Sequence, residues 1–197
     1  MRVIAGTAKG RLLIVPKGVE LRPTTDKVKE AIFSMLTAEG MKRMDEEDGP
    51  DTDFPYPRVL DLYAGTGSLG IEALSRGAEL VDFVESNRKA RAAIEENLRR
   101  TGFTSQATVH ALRAQGAVST FKNPYDLILL DPPYDDASVP GVLEALGRAA
   151  ILVPGGTVVL EHARSRDAGS RAGRLQHVRS RYYGTTAVSL YRLDESQ

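Results

Sequence analysis

The chain is 197 residues long, 42% hydrophobic and 26% charged with a formal net charge of zero, values that suit one soluble α/β core with a small appendage and exclude a fibrous or disordered chain. It has no cysteine, and His110, His162 and His177 stand too far apart for local metal-ligand spacing, which excludes disulfides and thiolate metal sites and favours metal-free chemistry. No apolar run approaches the roughly 20 residues that span a bilayer and no signal-like segment follows Met1, so a cytoplasmic protein without a membrane anchor is expected.

At the amino terminus, Arg2 to Ala5 and Gly10 to Val15 read as a hairpin, and Lys27 to Leu36 as a helix entered through Pro23-Thr24-Thr25. Neither threonine has Glu or Gln three residues later, so no capping box closes that entry. Positive charge concentrates here: Arg2, Lys9, Arg11, Lys17, Arg22, Lys27 and Lys29 stand against Glu20 and Asp26. Asp45, Glu46, Glu47, Asp48, Asp51 and Asp53 follow as an acidic cluster. A basic terminus facing phosphates is one reading of this asymmetry, and two solvated faces are the other. Residues 40 to 57, with Gly40, Gly49, Pro50, Pro55 and Pro57 among acids, read as a mobile linker. The expected organisation is therefore an extension over 1–39, a linker over 40–57 and a sheet domain over 58–197.

From Arg58 onward, the apolar runs Val59 to Leu62, Leu80 to Val84, Ala107 to Leu112, Leu127 to Leu130 and Val158 to Leu160 alternate with helical patterns such as Leu69 to Arg76 and Arg88 to Thr101. That rhythm predicts βαβ units and a mostly parallel sheet. Asn87 suits the N-cap of the second of these helices and Gly102 its stop. Arg164 to Arg174 reads as loop or weak helix. His177 to Tyr183 and Thr185 to Leu193 read as an antiparallel hairpin around Gly184, at the edge of the sheet.

The stretch Val59 to Gly70 combines a buried strand, a tight glycine turn and a helix start. Gly65 and Gly67 let a ligand approach the backbone, and the helix amino terminus offers amides to a carboxylate or phosphate. Gly65-Thr66-Gly67-Ser68-Leu69-Gly70 matches the dinucleotide pattern, and Glu85, ending the next strand, can accept from ribose hydroxyls of either a nicotinamide dinucleotide or S-adenosylmethionine. A plain strand-to-helix connection is the blander role of the same glycines.

Two details favour methyl transfer. Asp61, with Asp-x-x-x-Gly-x-Gly spacing, resembles the first motif of class I methyltransferases, whose acid lies near the methionine amino group of the cofactor. Asp131-Pro132-Pro133-Tyr134 follows the strand Tyr125 to Leu130, at the end where open α/β sheets bind ligands. Its prolines fix φ and remove donors. The Asp131 carboxylate and the Pro132 carbonyl can then accept both N–H groups of an exocyclic base amine, and Tyr134 can stack on the base. Taken singly, Asp131 also suits a cap, Pro132 and Pro133 a strand end, and Tyr134 half-buried packing.

Together these pieces resemble a known family, the RsmD family of bacterial small-subunit (16S) ribosomal RNA guanine-N2 methyltransferases. The resemblance spans nearly the whole chain: Met1 to Gly6 with Lys9-Gly10-Arg11, Arg22-Pro23-Thr24 with Lys27 to Phe33, Asp61 to Ala73, Val84-Glu85, and Asp131 to Tyr134. It implies a class I, Rossmann-like fold: a mostly parallel seven-stranded sheet with an antiparallel C-terminal edge strand, plus a small N-terminal β-hairpin and helix extension. S-adenosylmethionine is the implied donor and S-adenosylhomocysteine the product. The implied acceptor is a guanine N2 amine of 16S rRNA in the small subunit or an assembly intermediate, as for the rRNA (guanine(966)-N(2))-methyltransferase.

By the same resemblance, Asp61, Ala64, Gly65, Thr66, Gly67, Glu85, Ser86, Arg113 and Ala114 form the cofactor site, and Arg2, Lys9, Arg11, Arg22, Pro23 and Thr24 border the substrate channel. The chain departs from the wider pattern at Arg113-Ala114-Gln115, where many methyltransferases place an acid or amide for the adenine amino group. A backbone carbonyl or stacking by Arg113 is the expected substitute. The competing readings are a DNA adenine-N6 methyltransferase, a protein glutamine-N5 methyltransferase and a non-catalytic RNA-binding relative. The length leaves little room for the separate target-recognition domain that a DNA enzyme would need.

Overall fold

A computed structural model describes residues 1–16, 25–41 and 54–194. Arg22, Pro23 and Thr24, expected at the substrate channel, and residues 42–53 of the expected linker lie outside the described residues.

The elements in chain order are α1 (Asp26–Met41), β1 (Arg58–Leu62), α2 (Ser68–Arg76), β2 (Leu80–Val84), α3 (Arg88–Thr101), β3 (Ala107–His110), α4 (Ala114–Thr120), β4 (Tyr125–Leu130), α5 (Val139–Arg148), β5 (Leu152–Ala163), β6 (Arg171–Ala172), β7 (Leu175–Tyr183) and β8 (Thr186–Leu193). They form one sheet in the order β3-β2-β1-β4-β5-β8-β7-β6. The first five strands in that order are parallel to one another, and β8, β7 and β6 continue antiparallel.

The class I, Rossmann-like arrangement is the expected one. Its far end differs in detail: the sheet has eight strands, and the C-terminal β8, antiparallel as expected, lies between β5 and β7 instead of at the edge. Burial explains this. Thr186 through Tyr191 are all buried, so β8 needs cover on both faces and a neighbour on each side. β7 alternates towards solvent and can lie outside it.

Alternation along the central strands divides the core into two layers. Val59, Phe83, Leu127 and Leu129 pack on α1, α2 and α3 through Ile32, Phe33, Ile71, Leu74, Ile94 and Leu98. Leu60, Leu62, Ile128 and Leu130 face α4 and α5 through Ala117, Val118, Val142 and Leu146. Helix α3 shows the origin of such packing: Ala90, Ala93, Ile94, Asn97, Leu98 and Thr101 form its buried stripe at helical spacing. The Asn87 side chain caps it, accepting from the Lys89 and Ala90 amides at 2.9 and 3.2 Å, and Gly102 ends it. Thr25 caps α1 by accepting from the Val28 amide at 3.2 Å, without the reciprocal acid of a capping box.

The N-terminal segment is a minimal hairpin with one antiparallel bridge, Arg2 to Leu12. Backbone bonds such as Val3 to Arg11 and Leu13 to Met1 satisfy part of it, and helix side chains satisfy other amides, as buried amides require. The Ile4 and Ala5 amides donate to Glu72 at 2.7 and 3.0 Å, the Ala8 amide to Ser75 Oγ at 2.9 Å, and the Ile14 amide to Asn97 Oδ1 at 2.7 Å. Val3, Ala8 and Leu13 thereby join the core of the sheet domain. The expected linker is also trimmed at both ends: α1 runs on to Met41, and Phe54 and Tyr56 are buried, with the Phe54 ring 5.8 Å from Phe33 and 5.4 Å from Tyr56. Two large aromatics beside Pro55 bury more favourably than they hydrate.

Candidate active site

Parallel pairing brings distant residues to one edge. Leu62 is in register with Val84 on β2 and with Leu130 on β4, and Val84 with His110 on β3. The carboxyl ends of these strands therefore open together, and strand order reverses between β1 and β4, the switch point at which open α/β sheets hold ligands. A cleft of about 840 Å³ lies there.

The glycine turn forms one wall. Gly65 and Gly67 have φ of 56° and 79°, left-handed values that glycine adopts without a Cβ penalty. Gly70 sits where helix meets sheet; a Cβ there would stand 2.3 Å from Phe83 Cε1. The amides of all three are used within the chain: Gly65 donates to Glu85 Oε2 at 2.9 Å, Gly67 to the Ala64 carbonyl at 2.7 Å, and Gly70 to Asp61 Oδ2 at 2.9 Å. The expectation that this turn offers amides to a phosphate is not met by these three. The dinucleotide reading thereby lacks the three glycine amides that would hold a pyrophosphate.

The opposite wall is the loop after β4. Asp131, Pro132, Pro133 and Tyr134 all line the cleft, and the Tyr134 hydroxyl donates to Thr186 Oγ1 at 2.8 Å, tying the loop to β8. Tyr63 bridges the two walls. It is the one non-glycine residue with positive φ among those described, at 59°, and its hydroxyl lies 3.3 Å from Ser138 Oγ. Ser138 is in turn held by its amide on Asp136 Oδ1 at 2.8 Å.

Of the expected cofactor residues, Asp61, Ala64, Gly65, Thr66, Glu85, Ser86, Arg113 and Ala114 line the cleft, and Gly67 lies beneath it as the N-cap of α2. Of the expected basic residues that are described, Arg2, Lys9 and Arg11 are not brought in. Arg2 pairs with Asp26 at 3.1 Å, the Arg11 guanidinium donates to the Arg100 carbonyl, and Lys9 is exposed on the turn of the arm. Met1 and Val15 of the same arm do line the cleft, and Thr66 Oγ1 lies 3.5 Å from the Met1 sulfur. Tyr63, Asn87, Gln115, Asp136 and Ser138 are among the further residues that line the cleft and that the motifs do not mark. Of these, Gln115 was the nearest to being found, since it supplies an amide where adenine contacts were sought.

Residues 1–192 match the sequence model of the family described as "Conserved hypothetical protein 95", the RsmD family. The chain belongs to that family. It is 39% identical over 195 residues, covering 98% of each chain, to the Bacillus subtilis protein named "Putative rRNA methyltransferase YlbH". It is 34% identical over 142 residues to the Haemophilus influenzae "Ribosomal RNA small subunit methyltransferase D", covering 68% of this chain and 64% of that one. Among solved structures, the Escherichia coli protein titled "Putative methyltransferase yhhF" superposes with a TM-score of 0.81 at 27% identity, over 100% of this chain and 99% of the other.

Like its family, this methyltransferase uses S-adenosylmethionine, and the cleft fits a ligand that carries an ammonium and a sulfonium. Asp61, Glu85, Asp131 and Asp136 all face it. Asp61 is 1% exposed, and its Oδ1 is buried with no hydrogen-bond partner. Such an orphaned acceptor is rare and costly, and a ligand ammonium would complete it. Burial pushes the Asp61 carboxyl up to about 8; the Gly70 N–H opposes that shift, and the charges of Asp131 and Glu85 add to it. Among the described residues no group of His, Cys, Asp and Glu could hold a metal ion, and no helix is long and apolar enough to cross a membrane.

Proposed function

We propose that this methyltransferase modifies the exocyclic N2 amine of a guanine in small-subunit ribosomal RNA, in the subunit or an assembly intermediate, and so works in the cytoplasm. The observation that carries the reading is the position of Asp131 and Pro132 at the end of β4, in the cleft shared with Asp61 and close enough for the Asp131 charge to act on it. The RNA acceptor is supported by the names of the relatives, and the guanine by the resemblance of the motif set.

A guanine amine is a weak nucleophile because its lone pair is delocalised into the ring. Donation of its two N–H groups to the Asp131 carboxylate and the Pro132 carbonyl aims that lone pair and stabilises the positive charge that develops on nitrogen. S-adenosylmethionine, when bound, would supply an electrophilic methyl carbon there, its sulfur keeping the electron pair of the bond that breaks as nitrogen bonds the methyl. On this reading Asp131 takes the proton that nitrogen then loses. Tyr134, held through its hydroxyl on Thr186, offers its ring to the flipped base. Asp61 and Glu85 hold the cofactor by its ammonium and ribose.

The test offers labelled S-adenosylmethionine with small ribosomal subunits, naked 16S rRNA, duplex DNA and a glutamine-bearing release-factor peptide. Label in RNA, recovered by mass spectrometry as N2-methylguanine, is expected. Transfer only to DNA or peptide overturns the reading. Asp131→Ala should abolish transfer and leave S-adenosylhomocysteine affinity within about threefold; undiminished transfer would refute the role of Asp131.

A further inference from the structure

A second concavity, of about 480 Å³, lies beside the catalytic loop, between the loop after β5 and the face of β7. Its floor is a chain of hydrogen-bonded side chains. His162 Nε2 lies 2.8 Å from Ser189 Oγ, Ser189 Oγ 2.7 Å from Ser180 Oγ, and Ser180 Oγ 2.8 Å from His177 Nε2. Its rim carries Arg164, Arg166 and Tyr182, all exposed, with the Arg164 guanidinium 5.2 Å from the centre of the Tyr182 ring. Asp167 is the only carboxylate among the residues that line it, and its Oδ1 accepts from the Gly169 amide at 3.0 Å.

Two tethers join this groove to the active site. Arg166 Nη1 donates to the carbonyl of Asp136 at 3.4 Å, and Asp136 lines the cofactor cleft. The Tyr134 hydroxyl donates to Thr186, and the neighbouring Thr185 carbonyl accepts from the Arg164 amide at 2.8 Å. Both tethers start at residues that line the cleft, Asp136 and Tyr134, and end at or next to residues of the groove's rim.

We propose that this groove binds single-stranded RNA flanking the target base, with phosphates on Arg164 and Arg166 and a neighbouring base stacked against Tyr182. The inference rests on the RNA reading above. A hydrogen-bonded floor does not suit an apolar peptide. Two outward guanidiniums, one stacked on an aromatic ring, provide the planar donors that phosphates take and the π surface on which unpaired bases stack. Arg2 is paired with Asp26 and Arg11 with the Arg100 carbonyl, and neither lines the cleft, whereas Arg164 and Arg166 are exposed and Arg166 reaches the carbonyl of Asp136 at the edge of the cleft.

The experiment measures binding of a fluorescein-labelled, twelve-nucleotide single-stranded RNA to the full chain across a salt series. Each phosphate contact contributes about 0.7 to the slope of log affinity against log salt, so Arg164→Gln with Arg166→Gln should lower that slope by about 1.4. Tyr182→Ala should weaken binding roughly five- to hundredfold, and Tyr182→Phe should retain it, because the ring does the stacking. Arg148→Gln, whose exposed side chain ends α5, serves as the charge control and should bind as wild type. S-adenosylhomocysteine affinity, unchanged in every variant, verifies folding. Unaltered affinity and slope in the arginine variants overturn the groove, as does equal competition by poly-glutamate at matched charge that is insensitive to Tyr182→Ala. If wild-type protein methylates RNA while these variants do so at its full rate, the groove fails and the function stands. If wild type methylates no RNA, the function fails independently of the groove.

Discussion

The amide of Gly65 donates to the carboxylate of Glu85 at 2.9 Å, so the glycine turn after β1 and the acid after β2 are one hydrogen-bonded unit. The other Glu85 oxygen accepts from the Asn87 amide at 2.7 Å, which links the same acid to the cap of α3. On the proposed function, the acid that binds ribose therefore also shapes the glycine turn. Glu85→Gln keeps one accepting oxygen and replaces the other with a donor that faces an N–H. Affinity for S-adenosylhomocysteine, measured by calorimetry, should fall at least roughly tenfold, the scale of a lost charge-assisted hydrogen bond. An unchanged dissociation constant would remove Glu85 from the site.

Asp61 should make the unliganded protein less stable as pH rises. Its carboxyl is pushed up to about 8 in the fold, against about 3.9 for an unfolded chain. Between those values the folded state holds a proton that the unfolded state has released. The stabilising contribution is thus fully present below the lower value and lost as pH rises through the upper one. Asp61→Asn cannot ionise, so the unliganded variant should melt above wild type at pH 8, with the gap closing towards pH 5, while it binds S-adenosylhomocysteine more weakly. A melting difference independent of pH would contradict the raised value.

Glu72 anchors the N-terminal arm. Besides the Ile4 and Ala5 amides it meets Arg76 Nε at 2.9 Å and Lys29 Nζ at 3.4 Å, and the side chains of Lys29 and Glu72 are fully buried. Burial pulls the Lys29 ammonium down from its usual pKa, and Glu72 opposes that. Glu72→Ala should cost about 3–5 kcal/mol, because it strands a buried cation, and lower Tm by roughly 6–20 °C. Adding Lys29→Met to that variant should recover part of the loss. A double variant no more stable than Glu72→Ala would show that the pair is uncoupled.

Tyr63 should act on turnover and leave cofactor affinity alone. Tyr63→Phe removes the contact with Ser138 and keeps the ring and backbone. One hydrogen bond of about 1 kcal/mol corresponds to roughly a fivefold fall in kcat/KM, with S-adenosylhomocysteine affinity within twofold. Equal losses in both would place Tyr63 in the cofactor site and not between it and the catalytic loop.

What was legible in the sequence was what short-range rules write down. The strand from Val59 to Leu62, the capped helix from Arg88 to Thr101 and the Asp131 loop depend on local periodicity, caps and prolines. Each lies close to where its pattern places it. The far end of the sheet was less legible, because which neighbour a strand takes depends on what covers its faces. The apolar run of β8 shows only that it is buried, not that it inserts between β5 and β7.

The cleft divides in the same way. The amino-acid sequence by itself determined the glycine turn, Asp61, Glu85 and the Asp131-Pro132-Pro133-Tyr134 loop, since each lies in the last residues of an apolar strand pattern or directly after it. Tertiary structure alone decided that Met1 and Val15 border the cleft while Arg2, Lys9 and Arg11 do not. The arm is placed by Glu72, Ser75 and Asn97, between 67 and 83 residues away along the chain. It also decided that Arg166 reaches the carbonyl of Asp136, a residue lining the cleft. Charge along a chain records how many basic groups there are, but which of them remain available depends on ion pairs and carbonyl contacts that form only when distant segments pack.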